Sequence, residues 1–216
     1  MELGPNQAIK TLRDGASWHG GEHKWSLPVA QPDGTYTAGE WTPRIAPLIC
    51  AKGWHLTTQP ALWWSHEGNV AAYLAEYDGA TSAREGEDKI AVERCRLLRP
   101  LTKTELESCG IFTDGVHEVK TGAAYASGSA SVRAYDSASV RASGSASVRA
   151  YDSARTHAAG SAVCTAWSGT TLVLTRADNG VIIDRRGAAP KTYCKRAGLD
   201  GWCYADGKWE RRAAKK

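Results

Sequence analysis

His19 and His23, with Glu22 between them, are the first residues whose types could do chemistry, because imidazole nitrogens and carboxylates are zinc ligands. A helix would bring the two rings to one face, but Gly20-Gly21 works against a helix. The pair therefore reads first as a polar loop and only in the alternative as a metal site, and the sequence does not place a third ligand such as His55 or Cys50 beside it. His55 sits inside Gly53-Trp54-His55-Leu56-Thr57, where an imidazole more often satisfies a hydrogen bond than performs catalysis. Trp63 and Trp64 must face different sides of whatever element carries them, one as core and the other as a stacking surface for a base or sugar. Arg133, Arg141 and Arg149 recur eight residues apart, followed by Arg155 and His157. Such a row is either a solvated surface that discourages sheet stacking, the preferred reading, or a polyanion-binding face. No Walker loop, Gly-rich dinucleotide motif or Ser/His/Asp pattern is present.

The elements that position these residues differ sharply along the 216-residue chain. Nine Trp and eight Tyr against one Phe favour half-exposed surfaces and shallow cores. A net charge of +4 is well short of the excess carried by a dedicated nucleic-acid binder. The first residues hold no apolar run of the signal type and no stretch is apolar enough to span a bilayer, so the expectation is a cytoplasmic or virion protein. None of the six Cys forms a Cys-x-x-Cys pair. Cys194 and Cys203 could face each other across a hairpin, although packed free thiols are the preferred state.

Residues 1–115 predict an α+β domain dominated by strands. Strands are expected at Ala8–Leu12, near Gly53–Thr57 and at Lys89–Arg96. A short helix is expected over Gln59–Trp64 with Pro60 in its first turn, and Val70–Tyr77 fits either a strand or a helix. Thr102 and Glu105 form a capping box that opens one further short helix, stopped at Gly110.

Residues 116–173 are built from octads, and SASVRAYDSASVRASG at 129–144 returns as SASVRAYDSARTHAAG at 145–160. Within each octad Ala, Val and Ala alternate with Ser, Ser and Arg, the period of a strand with one small apolar face. Tyr-Asp corners at 135–136 and 151–152 alternate with Ser-Gly corners at 127–128 and 143–144, so the true repeat is sixteen residues. The predicted object is a thin, two-sided parallel β-solenoid rising about 4.8 Å per coil. Arg133 and Arg149 are expected to stack on one face, with Arg141 and His157 on the other. Residues 174–216 predict a hairpin cap with a basic tail. One hairpin is expected between Thr171–Thr175 and Val181–Arg185 through Asn179-Gly180, and a second around Ala205-Asp206-Gly207.

The octads resemble repeats of bacterial and phage solenoid proteins over about 118–185, with related β-roll designs in bactofilin-type filaments and trimeric adhesin heads. Over about 8–112 the chain resembles an uncharacterised domain of actinobacteria and their phages. That likeness is carried by Arg13-Asp14-Gly15, His19-Gly20-Gly21, Gly53–Thr57, Tyr73-Leu74-Ala75-Glu76 and Asp88–Val92. Gly53–Thr58 with Pro60-Ala61 is faintly similar to ADP-ribosyltransferases, and Glu93 lies nearest to the glutamate of that family. Three functions follow as expectations. The first is a non-enzymatic, phage-type accessory protein whose N-domain binds a protein partner and whose solenoid is a rigid spacer or self-assembly surface, with no cofactor and no membrane. The second is an ADP-ribosyltransferase-like enzyme holding NAD through Arg13, His55 and Thr57, with Glu93 alongside. The third is nucleic-acid binding through the arginine rows.

Overall fold

The alternation of the octads becomes a stack of four-residue strands in the structure, a computed structural model that describes all residues except 18–22, 66–67, 85, 87, 169–170, 175–179, 187–190, 195–200, 206–207 and 213–216. The described residues form two compact units, Met1–Cys109 and Gly110–Lys216.

In the first unit β1 (Gln7–Arg13), β4 (Trp54–Thr57), β5 (Val70–Ala83) and β6 (Lys89–Pro100) close a barrel in the order β1-β4-β6-β5. A separate two-stranded hairpin joins β2 (Val29–Ala30) to β3 (Tyr36–Thr37). Pro60–Trp63 forms a 3-10 turn with Pro at its start, and α1 (Lys103–Ser108) follows the barrel. The capping box at α1 is made as expected: the Glu105 amide donates to the Thr102 hydroxyl, and the Thr102 amide donates back to the Glu105 carboxylate. Arg99 holds that carboxylate down to a pKa of about 2. Val70–Tyr77, open to either reading in the sequence, is the first half of a fourteen-residue strand. Its full-length pairing with β1 and β6 decides the matter against a helix.

The second unit holds β7 (Ile111–Phe112), β8 (Val116–Val119), β9 (Ala123–Ala126), β10 (Ser131–Ala134), β11 (Ser139–Ala142), β12 (Ser147–Ala150), β13 (Arg155–Ala158), β14 (Val163–Ala166), β15 (Thr171–Leu174) and β16 (Val181–Asp184). β17 (Lys191–Cys194), β18 (Gly201–Ala205) and β19 (Lys208–Arg212) complete it. Even-numbered strands from β8 to β16 stack in parallel in one sheet and odd-numbered strands from β7 to β15 in the other. Four turns therefore separate β8 from β16. Registers are multiples of the sixteen-residue period within the repeat: Val132 lies beside Val148, and Arg133 beside Arg149. The interior is Ala130, Val132, Ala134, Ala138, Val140, Ala142 and their successors, all buried. Larger side chains close the stack: Phe112 lies flat against His117 at one end, and Ile182 fills the Val position at the other.

Each corner is a tight turn closed by a hydrogen bond across three residues, as from the Ala138 amide to the Tyr135 carbonyl. Its second residue has positive φ, which is why Gly128, Gly144 and Gly160 sit on one edge. On the other edge Asp136 (φ 47°) and Asp152 (φ 53°) take the same conformation, which Asp tolerates better than most residues. The glycine edge is the tighter. A Cβ on Gly160 would lie 3.1 Å from the Gly144 amide nitrogen.

The Asn179-Gly180 hairpin is not formed. β15 stacks on β13 and β16 on β14, so the two segments belong to opposite sheets. The octad rhythm overrides the local turn signal, and parallel stacking runs from Ile111 to Asp184, beyond the clear octads at both ends. The antiparallel cap begins one strand later, with β17 on β16. The second expected hairpin is present as β18 and β19, with Ala205 beside Lys208. The side chains of Cys194 and Cys203 lie outside the described residues. Among the described residues no helix is long and apolar enough to cross a membrane.

Two outcomes follow. Inserting a further copy of residues 129–144 after Gly144 adds one coil and leaves a cooperative thermal transition. Inserting only 137–144 sets Gly corners against Tyr corners and moves every later strand to the other sheet, so the transition broadens or falls. Equal melting of both variants by circular dichroism would show that corner identity does not set the coil. Second, Thr156 occupies a buried Val position with its hydroxyl unpaired, and the Cys164 thiol beside it offers only a weak contact. Thr156→Val should raise the unfolding free energy by about 1–2 kcal/mol in urea titrations.

Candidate functional site

Lys10 is the most chemically unusual side chain of the barrel. On β1, Ala8 and Leu12 point into a cluster with Trp25, Leu56, Ala75, Val92, Cys95 and Leu97, whereas Ile9 packs with Ala72, Leu74 and Leu101 on the opposite side. Strand alternation sends Lys10 the same way as Ala8 and Leu12. It is buried, its Nζ donates to the His55 carbonyl at 3.1 Å, and it lies 4.8 Å from the centre of the Trp25 ring. Burial lowers its pKa to about 8, with Cys95 acting weakly in the opposite sense, and burial pushes the Cys95 thiol up to about 12.

Around it the aromatic residues are tied by their polar atoms. Trp25 donates from Nε1 to the Ser17 hydroxyl at 3.1 Å, and Trp54 donates from Nε1 to the Pro43 carbonyl at 2.8 Å. The His23 ring lies 5.3 Å from Trp25 and 4.5 Å from Trp54, so His23 is part of an aromatic cluster. Its expected metal partner, His19, lies outside the described residues. Among the described residues no three His, Cys, Asp or Glu side chains gather as a metal site.

The residues of the nucleotide-binding expectation each hold a different piece of backbone. His55 accepts the Cys50 amide at Nε2 (3.1 Å). Thr57 donates from Oγ1 to the Asp88 carbonyl (2.9 Å) and accepts the Gln59 amide (2.9 Å). Glu93 pairs with Arg44 and accepts the Ala80 amide beside the irregularity between Asp78 and Thr81. The Ala80 amide is the first cause holding the Glu93 carboxyl below its usual range. Arg13 ends β1, beside Val70. Of the two expected stacking residues, Trp64 packs on the Ile9 cluster. Trp63 donates to the Asp88 carboxylate and carries the Lys89 ammonium 5.1 Å from its ring centre, which occupies one face.

On the solenoid the basic residues fall into two short columns. Arg133 and Arg149 are exposed on one sheet, and Arg133 pairs with Glu118 of the preceding coil at 3.2 Å. Arg141 and His157 are half-buried neighbours on the other sheet, next to buried Tyr125. Burial lowers the Arg141 pKa. The four residues of the polyanion expectation are thus divided between two faces.

Two features escaped sequence reasoning. Lys10 sits in Ala-Ile-Lys-Thr-Leu, where a lysine reads as the solvent side of an alternating strand. Arg94 and Arg96 both approach the Trp41 ring, at 4.7 and 4.8 Å, while pairing with Asp78 and Glu76. That network had a legible signal: Glu76-x-Asp78 and Arg94-x-Arg96 are complementary pairs on adjacent strands.

The buried lysine fixes a pH dependence. Folded Lys10 loses its proton near pH 8 and the unfolded residue near 10.5, so the unfolded chain binds more protons between them and stability rises with pH. Cys95 acts in the opposite sense above pH 9, because the folded thiol keeps its proton to about 12. Between pH 8 and 9 wild-type stability should therefore climb. Above pH 9 the two effects oppose each other and the wild-type curve flattens, whereas Lys10→Met should remove the climb, expose a fall that begins near pH 9, and gain about 3 kcal/mol at pH 7. Urea unfolding followed by tryptophan fluorescence reads this unit, since six of the nine Trp lie in Met1–Cys109.

Compared with protein families, curated proteins and solved structures, the chain matches none of them.

Proposed function

We propose that the chain is a non-enzymatic structural protein of the phage-accessory type, in which the barrel unit binds a protein partner and the solenoid is a rigid spacer and assembly surface. The observation that carries this reading is the constant sixteen-residue register of the solenoid from β9 to β15. From β10 to β12 the interior repeats Ala and Val and the outward positions repeat Ser and Arg, so successive coils present the same narrow surface. Regularity of this kind favours holding a distance over binding a small molecule.

The barrel supports the same reading from a different side. His55, Thr57 and Glu93, the groups an NAD-using enzyme would need, are engaged by backbone at 50, 59, 80 and 88. Its hairpin carries Leu27, Val29 and Tyr36 at 44%, 61% and 40% exposure, apolar surface of the kind that marks a protein contact.

The test is a pair of titrations on the full chain. Melting temperature is measured against NAD, and affinity for single- and double-stranded DNA is measured against salt. The reading expects no thermal shift and no DNA binding at low salt. A rise in melting temperature with NAD that disappears in His55→Ala would overturn it in favour of an enzyme. DNA binding that weakens steeply with salt and drops in Arg149→Ala would overturn it in favour of a nucleic-acid surface.

A further inference from the structure

The Tyr-Asp edge of the solenoid carries a column that no expectation above used. Sixteen-residue periodicity brings Tyr135, Tyr151 and Trp167 into line. The Tyr151 amide donates to the Ala134 carbonyl at 2.9 Å, and the Trp167 amide to that of Ala150 at 2.9 Å. The rings of Tyr135 and Tyr151 are 11° from parallel with centres 5.0 Å apart, and those of Tyr151 and Trp167 are 8° from parallel at 6.3 Å. The Arg185 guanidinium lies 5.1 Å from the centre of the Trp167 ring. The rings therefore run as one near-parallel column along the edge. Both phenols are half-exposed.

Phenols are readily oxidised one electron at a time, and centres 5.0 Å apart let two such radicals couple once the half-exposed rings turn edge to edge. The guanidinium against Trp167 disfavours positive charge on the indole, since a cation prefers an electron-rich ring. An electron hole entering the column is therefore driven towards the tyrosines, where loss of the phenolic proton to water leaves a neutral radical. Among the described tyrosines no other pair is stacked. Tyr125 is buried with its hydroxyl against Ser143 at 2.5 Å, and Tyr73 and Tyr77 pack on the barrel core.

We infer that Tyr135 and Tyr151 are an oxidative cross-linking site, joined as dityrosine by a peroxidase-type oxidant that draws on hydrogen peroxide. Each phenol gives up one electron and one proton, and the two radicals form a carbon–carbon bond between their ortho positions. The ring hydrogens at the new bond then shift to restore both phenols. The peroxide takes up the two electrons and two protons and leaves as two waters. The product staples successive coils. Closing a loop of about fifteen residues shifts an unfolding equilibrium on the order of a hundredfold. This inference stands on the ring geometry and does not depend on the spacer reading.

The test treats the dilute full-length protein with a haem peroxidase and hydrogen peroxide, followed by tryptic mass spectrometry. The expected product links Ala134–Arg141 to Ala150–Arg155 with a mass two hydrogens below their sum. It fluoresces as dityrosine, and its yield does not change with protein concentration. Tyr135→Phe and Tyr151→Phe should each abolish it while circular dichroism shows the fold intact, and oxidation in concentrated urea should give far less. Absence of the linked pair, an equal yield in urea, or a yield that grows with protein concentration would each overturn the inference.

Discussion

The space between the two sheets of the solenoid admits little beyond Ala and Val, and most of the second unit follows from that restriction. A core of Ala130, Val132, Ala134, Ala138, Val140 and Ala142 buries little hydrocarbon per residue, at about 0.8 kcal/mol for each buried CH₂. A single coil of this kind cannot meet the entropy cost of ordering its sixteen residues. Stability must come from coupling between coils, and coupling depends on register, because one residue of slip turns every Val outward and every Arg inward. The corners then have to be as uniform as the strands, which explains positive φ at the same position in every turn from Gly128 to Gly160. The ends have to differ from the middle. Phe112 with His117, and Ile182, supply the larger surfaces that the interior coils lack.

The barrel meets the same need for burial by different means. Closing β1, β4, β6 and β5 on themselves leaves no free edges, and the aliphatic interior is flanked by buried Trp25 and half-buried Trp54 and Trp63, whose N–H groups need partners. Ser17, Pro43 and Asp88 provide them for Trp25, Trp54 and Trp63. The preference for Trp over Phe thus matches a small core surrounded by loop carbonyls and hydroxyls. Those same bonds hold Ser17, Pro43 and Asp88 against the barrel residues. Lys10 fits this plan only in part. Its ammonium has a carbonyl and an aromatic face, which soften the cost of burial without removing it.

The solenoid was legible because its signal is strictly local and repeated. Val132, Val140 and Val148 eight residues apart define strands, and the alternation of Asp136 with Gly144 defines the coil. The capping box at Thr102 was legible for the same reason: donor and acceptor lie three residues apart. The Asn179-Gly180 turn misled because a dipeptide cannot announce that its flanking strands have partners sixteen or more residues away, in Thr156 and Cys164. Barrel closure, and with it the inward aim of Lys10, was illegible on the same grounds. The pairing of Ile9 with Thr57 and with Leu74 is non-local, and nothing in AIKTL records it. The separate engagements of His55, Thr57 and Glu93 were equally out of reach, since each partner is backbone that only the closed barrel brings into place.

The outward columns show why the repeat stops where it does. Stacking brings identical side chains about 4.8 Å apart, so a column of arginines accumulates repulsion with every coil added. Among the described residues no column holds more than two basic side chains. Glu118 precedes Arg133 and Thr165 follows Arg149 on one sheet, while Tyr125 precedes Arg141 on the other, where His157 follows it. The degraded octads that close the repeat are thus the ones that break the charge rows, keeping the small apolar interior at Ala158, Ala162 and Ala166 while changing what faces solvent. Selection on the interior demands copying, and electrostatics on the exterior demands that copying end. A solenoid of four turns with altered coils at both ends satisfies both conditions, and on its aromatic edge, where stacking attracts, like residues gain from being neighbours.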